Sequence, residues 1–201
     1  MGQDDDVATS IAHLVLCGVA GRGISRISGK SFTHPGMHAN FLVHGIVGFL
    51  HYQSGVFNND FSGAYALTSS AARYLALPCL MADLYHSNAT LRVLHLISGL
   101  IPFVMDVTGN GNAHLGNVII AINIISLCHY SMENNREWGW YTAGAGLFAY
   151  FAAPQTGLKV LYPLGLAIME YCAYRVFHVQ FDDLVDSRGR RRPPPKPKAK
   201  K

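Results

Sequence analysis

The chain has 201 residues, of which 50% are hydrophobic and only 14% are charged. A soluble domain carries about a quarter of its residues as charged side chains, so this composition excludes an ordinary water-soluble globular protein. The formal net charge of +4 combines an acidic start, Asp4-Asp5-Asp6, with a basic end that begins at Arg188. Only eleven charged residues lie between Ser31 and Phe181. Most of them separate apolar blocks, which is typical of a multi-pass membrane protein.

Seven of these blocks approach the length of about 20 residues that a transmembrane helix needs. The first is the weakest because Gly21-Arg22-Gly23 interrupts it, and six spans is therefore the alternative count. Short connections with turn-forming residues make consecutive helices antiparallel neighbours. We predict an all-α fold, a polytopic membrane helical bundle of seven transmembrane helices within residues 1–180. The blocks cover residues 7–21, 38–55, 65–86, 91–108, 114–132, 138–154 and 160–178.

The predicted orientation follows from the distribution of Lys and Arg, which accumulate in cytoplasmic loops. With seven spans, one side receives the basic C-terminal segment together with Arg22, Arg26, Lys30, Arg92 and Arg136. The other side receives little more than Lys159, with the three N-terminal aspartates and Asp60. We therefore expect an N-terminus that is outside or lumenal and a cytoplasmic C-terminus, in a membrane that the sequence does not identify. The glycosylation sequon at Asn88 then lies on the cytoplasmic side and stays unmodified.

Residues 181–201 form a separate segment, predicted to be a disordered, basic, proline-rich cytoplasmic tail. Its basic residues favour contact with anionic lipids of the bilayer surface. Alternatively, Arg191, Pro194 and Pro197 have the spacing of a ligand for an SH3-type domain. No folded basic or aromatic surface accompanies the tail, and we expect no nucleic-acid partner.

Charged side chains inside apolar spans are costly and therefore need partners. From the helical rise of about 1.5 Å per residue, we predict two cross-helix pairs between the third and seventh spans. Arg73 pairs with Glu170 in this scheme, and Asp83 pairs with Arg175 nearer the cytoplasmic face. Such pairs fix helix order and rotation, or they line a hydrophilic path.

An enzyme is the alternative interpretation. Asp83 and His86 are the weak catalytic candidates, because residues three apart share a helix face and could form an acid–base pair. A second carboxylate at Asp106 lies too far along the chain to complete a dyad with Asp83. His38, His86 and His178 are weak metal candidates on the cytoplasmic side, but their spacing does not place two histidines on one helix face. We expect no metal and no cofactor.

Three stretches of sequence resemble a known family. They are His13-Leu14-Val15-Leu16, the run from Leu77 to Asp83, and Ala173-Tyr174-Arg175-Val176-Phe177-His178. On these residues the chain resembles the animal transmembrane protein 276 family of small multi-pass membrane proteins. The resemblance implies a membrane fold and supplies no functional site.

The sequence therefore favours a multi-pass integral membrane protein without catalytic activity. It would act as a transporter-like protein for a small solute or lipid, or as an accessory subunit with other membrane subunits as partners. The alternatives are a membrane-embedded hydrolase or metal-dependent enzyme that uses the Asp83/His86 face, and a membrane-anchored scaffold that presents the proline-rich tail.

Overall fold

The computed structural model describes residues 6–25 and 36–182, with side chains up to Phe177. This part of the chain is helical and contains no strand. A five-residue π-helical turn, Phe148–Ala152, and a 3-10 turn, Ala153–Thr156, extend the eighth helix. The α-helices are α1 (Val7–Ser25), α2 (Gly36–His51), α3 (Ser54–Phe57), α4 (Ser62–Tyr74), α5 (Ala76–Leu84), α6 (Ala89–Val107), α7 (Ala113–Glu133), α8 (Glu137–Leu147) and α9 (Leu161–Asp182).

Three of the described helices are long and apolar enough to cross a membrane, judged by length and composition: α1, α6 and α7. The helices follow the predicted apolar blocks closely, with α4 and α5 together in the third block. The first block is longer than predicted, because α1 continues through Gly21-Arg22-Gly23 to Ser25. Glycine weakens a helix by about 1 kcal/mol relative to alanine, so packing of this turn outweighs its low helix propensity.

The third block is not one regular helix. α4 and α5 meet at Leu75, and Pro78 lies one turn further on. Proline has no amide proton, so the carbonyl of Tyr74 cannot receive the usual helical hydrogen bond. This carbonyl instead faces Gly99 of α6, where an added methyl group would clash with the Tyr74 oxygen and with Pro78. The bend therefore allows α6 to approach the α4–α5 junction closely.

The π-helical turn after α8 also marks a close helix contact. An added methyl group at Gly165 of α9 would lie 3.0 Å from the Cα atom of Ala149. Tyr150, which is 1% exposed, donates a hydrogen bond of 2.9 Å from its hydroxyl to the carbonyl of Ala72 in α4. The turn thus directs a tyrosine across the interior of the bundle.

The helices pack in chain order around the bundle. α1 packs on α2, α2 on α4 and α5, α5 on α6, α6 on α7, α7 on α8, and α8 on α9. α9 packs in turn on α1, so the first and last described helices are neighbours. Leu16, Phe41, Leu80, Leu127 and Leu166 lie in the common core and are fully buried.

The two ends of the bundle differ in charge. We call one end the Asp60 end, because it holds the loop around Asp60 together with Asp6 and Lys159. The amide of Asp6 donates to the carbonyl of Tyr52 there, over 3.2 Å. The opposite end holds Arg22, Arg92 and Arg136 and is called the Arg136 end.

Candidate functional site

A cluster of four aromatic side chains lies inside the bundle towards the Asp60 end. We call His13, His44, Tyr52 and Tyr65 the histidine layer. The ring centroid of His13 lies 5.1 Å from that of His44, 5.6 Å from that of Tyr52 and 5.8 Å from that of Tyr65. His44 and Tyr65 are stacked with a centroid separation of 5.4 Å. The layer therefore joins α1, α2 and α4 through contacts between rings.

Glycine makes room for this layer. An added methyl group at Gly48 of α2 would clash with the ring of His13. At Gly45, one turn earlier, it would lie 2.6 Å from the sulfur of Cys17. α1 and α2 therefore approach backbone to backbone along this seam, as helices with small interfacial residues do.

The two histidines of the layer are buried without full hydrogen bonding. His13 and His44 are both 0% exposed. Neither ring nitrogen of His13 has a hydrogen-bond partner in the described structure, and neither does Nε2 of His44. Nδ1 of His44 lies 3.4 Å from the hydroxyl of Thr68. Unpartnered buried polar atoms are destabilising by about 1–3 kcal/mol each, so these three ring nitrogens lower the stability of the fold.

A second polar cluster lies nearer the Arg136 end, where α1, α2 and α9 meet. We call Gly23, His38 and Glu170 the glutamate layer. Nδ1 of His38 and Oε1 of Glu170 form a buried ion pair or hydrogen bond, with side-chain exposures of 2% and 0%. The second carboxylate oxygen of Glu170, Oε2, is buried and has no hydrogen-bond partner among the described residues.

Gly23 has a specific position in this layer. A methyl group added to it would lie 2.7 Å from Nδ1 of His38 and 2.8 Å from Oε1 of Glu170. The absence of a side chain on α1 is therefore what permits the imidazole and the carboxylate to meet beside the helix. This requirement explains the glycine at position 23, whereas a methyl group at Gly21 would meet nothing within 4 Å.

Apolar side chains separate the two polar clusters. Leu16 of α1, Phe41 of α2 and Leu166 of α9 are each fully buried, and we call them the apolar layer. His44 and His38 are six residues apart on α2, which corresponds to about 9 Å along a helix. The interior beside α1 and α2 thus alternates polar, apolar and polar layers from the Asp60 end to the Arg136 end. α4 completes the histidine layer, and α9 completes the glutamate layer.

Two of the predicted charged residues have different partners from those expected. Arg73 donates from Nη2 to Oδ1 of Asn117 in α7, over 2.7 Å, while Glu170 contacts His38. Similar depth along two helices does not determine whether those helices are neighbours. α4 and α5 pack mainly on α2, α6 and α7, whereas α9 packs on α1 and α8.

Arg175 also lies apart from its predicted partner. Its guanidinium carbon lies 5.1 Å from the ring centroid of Trp138 and 5.6 Å from that of Tyr171, on the exposed side of α9. Asp83 is 5% exposed and lies at the end of α5, which packs on other helices. The predicted pair of Asp83 with Arg175 is therefore wrong.

The predicted catalytic face of Asp83 and His86 is also wrong. α5 ends at Leu84, so His86 lies in the following turn and is exposed, while Asp83 is buried. Of the weak metal candidates, His38 contacts Glu170, His86 is exposed, and the side chain of His178 lies outside the described residues. No group of three or more possible metal ligands occurs within the described part of the chain. The tail motif of Arg191, Pro194 and Pro197 also lies outside it.

Comparison with known proteins gave no match: no family model, no curated protein and no solved structure is similar to this chain. The function of the protein is therefore inferred from the geometry of its own side chains.

Sequence reasoning missed several residues of the two polar layers. His13, Tyr52, Tyr65 and the role of Gly23 were not identified as parts of a site, although His38 and Glu170 were singled out. One available signal was His13 within the apolar stretch of α1, since a histidine there needs a polar neighbour. A second signal was the pair of glycines, Gly45 and Gly48, on the adjacent span.

Proposed function

We propose that this protein is a seven-span integral membrane protein of the transporter type, which moves protons or another small solute through the interior between α1, α2, α4 and α9. Three helices with the length and composition of membrane spans support the membrane environment. The remaining spans in this proposal are α2, the bent α4–α5 pair, α8 with its π-helical extension, and α9. Membership of the transmembrane protein 276 family remains a prediction from the sequence.

The proposed orientation places the Asp60 end outside or in the lumen and the Arg136 end in the cytoplasm. Arg22, Arg92 and Arg136 lie at one end, with the basic tail following α9, whereas Arg73 and Lys159 lie towards the other end with Asp6 and Asp60. Positively charged loops are retained on the cytoplasmic side of a membrane. The charge difference between the two ends supports this orientation.

The observation that carries the transport proposal is the alternation of layers. Imidazole and carboxylate groups exchange protons readily, and four of their buried atoms lack partners: both ring nitrogens of His13, Nε2 of His44 and Oε2 of Glu170. Ionisable groups in a membrane span are costly and mark solute or proton paths. The apolar layer between the two polar layers would act as the closed gate of such a path.

The test is proton flux into vesicles. Full-length protein is reconstituted into phosphatidylcholine vesicles that contain a pH-sensitive dye, and a potassium diffusion potential drives proton entry. We expect a flux above that of protein-free vesicles. Glu170→Gln should reduce this flux to the protein-free level, because the amide keeps the shape of the side chain and cannot take up a proton. Phe41→Ala should increase the flux by opening the apolar layer.

A second histidine–glutamate pair on the surface of α7 provides a matched control. Nε2 of His129 lies 3.6 Å from Oε1 of Glu133, and both side chains are 56% exposed. Glu133→Gln should leave the flux unchanged. A flux equal to that of protein-free vesicles, or the same flux in Glu170→Gln as in the wild type, would contradict the proposal. An accessory subunit would then be the better explanation, and it would be recognised by a membrane protein that co-purifies in fixed ratio.

A further inference from the structure

A cleft of about 320 Å³ opens at the Asp60 end of the bundle, on the α4 side of the chain segment that leads into α9. Ligand sites in proteins begin at about this size. Its lining includes Ser69 and Arg73 of α4, Pro154, Gly157, Lys159 and Tyr162. The cleft lies next to the histidine layer, since Tyr162 is beside His44 at a centroid distance of 6.1 Å.

Two cations line this cleft without a carboxylate partner. Arg73 uses Nη2 to donate to Asn117, and its guanidinium carbon lies 5.7 Å from the ring centroid of Tyr74. Nζ of Lys159 lies 5.8 Å from the ring centroid of Tyr52. Among the described residues, neither cation has an Asp or Glu oxygen within 4.0 Å. Asp6 is within electrostatic range of Lys159, but its carboxylate accepts hydrogen bonds from Thr9.

A third feature of the cleft is a buried hydroxyl group with no partner. The hydroxyl oxygen of Tyr162 is buried and makes no hydrogen bond in the described structure. A tyrosine hydroxyl left in this state is destabilising, whereas an oxyanion in the cleft would accept a hydrogen bond from it. Tyr162 also lies in the first turn of α9, where the partial positive charge of the helix N-terminus favours an anion.

We propose that this cleft binds a phosphate group, held by Arg73, Lys159 and the hydroxyl of Tyr162. Guanidinium and ammonium groups form their strongest hydrogen bonds with charged oxygens. Tyr162 supplies a neutral hydrogen-bond donor from α9. The phosphate belongs either to the headgroup of an anionic lipid in the adjacent leaflet or to a free anion. Because binding here is measured without any flux, the result is independent of the transport proposal.

The experiment measures binding to full-length protein purified in a neutral detergent. One arm adds inorganic phosphate at constant ionic strength, with chloride as the reference anion. The other arm adds phosphatidylglycerol, with phosphatidylcholine as the reference lipid. Each arm records the Kd and the rise in the thermal unfolding temperature. We expect saturable binding in at least one arm. Binding of inorganic phosphate alone would identify the ligand as a free anion, and binding of phosphatidylglycerol alone would identify it as a lipid. If both bind, the ligand with the lower Kd is the preferred one.

Three variants test the named groups. Arg73→Gln and Lys159→Gln should each raise the Kd by about tenfold or more, as expected for loss of a hydrogen bond to a charged group. Lys159 is exposed, so its variant should fold even if the Arg73 variant does not. Tyr162→Phe should weaken binding while leaving the unliganded protein as stable as the wild type, or more stable. A purely structural role for the tyrosine would not give that combination.

Arg175→Gln is the matched control. Arg175 is also a guanidinium beside aromatic rings with one hydrogen bond to a neutral side chain, Tyr171, over 3.3 Å, but it lies at the Arg136 end. Its Kd should equal that of the wild type. The proposal is overturned if neither phosphate nor phosphatidylglycerol binds in preference to its reference. It is also overturned if the three cleft variants bind as tightly as Arg175→Gln.

Discussion

The positions of single glycines determine how closely the polar side chains of this protein meet. Gly23 and Gly48 each lie so close to a buried histidine ring that a methyl group on either glycine would clash with that ring. Gly18 and Gly21, on the same helix as Gly23, have open space where a methyl group would be. Residues of one type on one helix therefore have different roles, which the sequence alone does not distinguish.

Substitution of Gly23 by alanine tests this distinction. The new methyl group would lie 2.7 Å from the His38 ring and 2.8 Å from the Glu170 carboxylate, so we expect the pair to separate. Overpacking of this kind is destabilising by about 1–3 kcal/mol. The measurement is thermal unfolding of the full-length protein in detergent, where Gly23→Ala should lower the unfolding temperature.

Gly21→Ala serves as the matched control for that variant. It adds the same methyl group to the same helix where nothing lies within 4 Å, and the better helix propensity of alanine should make it neutral or slightly stabilising. Equal unfolding temperatures for the two variants would show that Gly23 does not limit the approach of His38 and Glu170.

At the scale of one helix, the start of α1 depends on a charged cap. The carboxylate of Asp6 accepts a hydrogen bond from the hydroxyl of Thr9 over 2.5 Å and from its amide over 3.1 Å. The bond from the Thr9 hydroxyl has the larger effect and the bond from its amide the smaller one, and together they hold the pKa of Asp6 below its ordinary value of 3.8. Such N-terminal caps stabilise a helix by about 1 kcal/mol.

The lowered pKa fixes the sign of the pH dependence. The contribution of the ionised cap to stability is fully present above the ordinary pKa and is lost as the pH falls through the lower, folded value. We therefore expect the amide proton of Thr9, followed by NMR in detergent micelles, to titrate with a midpoint below 3.8. In Asp6→Asn, which caps without a charge, this titration should disappear. A midpoint at or above 3.8 in the wild type would mean that the cap does not form.

Whole helices were easier to predict than their neighbours. Apolar blocks end where the solvent-exposed turns begin, and this periodic change in composition is visible around Asn58, Gly109 and Asn134. The lateral order of helices is set instead by shape, such as the gap at Gly99 that admits the Tyr74 carbonyl. The sequence therefore located Glu170 inside a helix but paired it with Arg73 rather than His38.

Arg73 also lies at a different depth in the bundle from the depth that the helical rise predicts. The bend between α4 and α5 and the contact with Asn117, one turn into α7, place Arg73 near the Asp60 end instead of the middle of the bundle. Ser70, one turn earlier, correspondingly contacts Asp106 in the last turn of α6. A regular rise of about 1.5 Å per residue cannot anticipate such an offset, because it assumes that every span starts at the same level.

At the scale of the whole molecule, the proposed orientation can be tested with glycosylation. The natural sequon, Asn88-Ala89-Thr90, lies at the Arg136 end, where Asn88 caps α6 by accepting from the amide of Leu91 over 3.1 Å. Phe61→Thr creates a second sequon at Asn59, at the Asp60 end. In a glycosylating host we expect a glycosidase-sensitive mass increase in the variant and none in the wild type.

The two sequons control for each other in that experiment. A glycan on wild-type protein can only be attached to Asn88, and it would place the Arg136 end outside. If Asn59 also remains unmodified in the variant, a longer segment that carries a sequon is inserted into the same loop. This insertion must be glycosylated if the proposed orientation is correct.

The contact between α1 and α9 has a consequence for how the chain is assembled. During synthesis, α1 and α2 emerge long before α9, so His38 and the groove beside Gly23 wait without Glu170 until nearly the whole bundle has been made. The pair of His38 and Glu170 can therefore form only after α9 has been made. Since α9 packs on both α8 and α1, its arrival also completes the closed ring of helices.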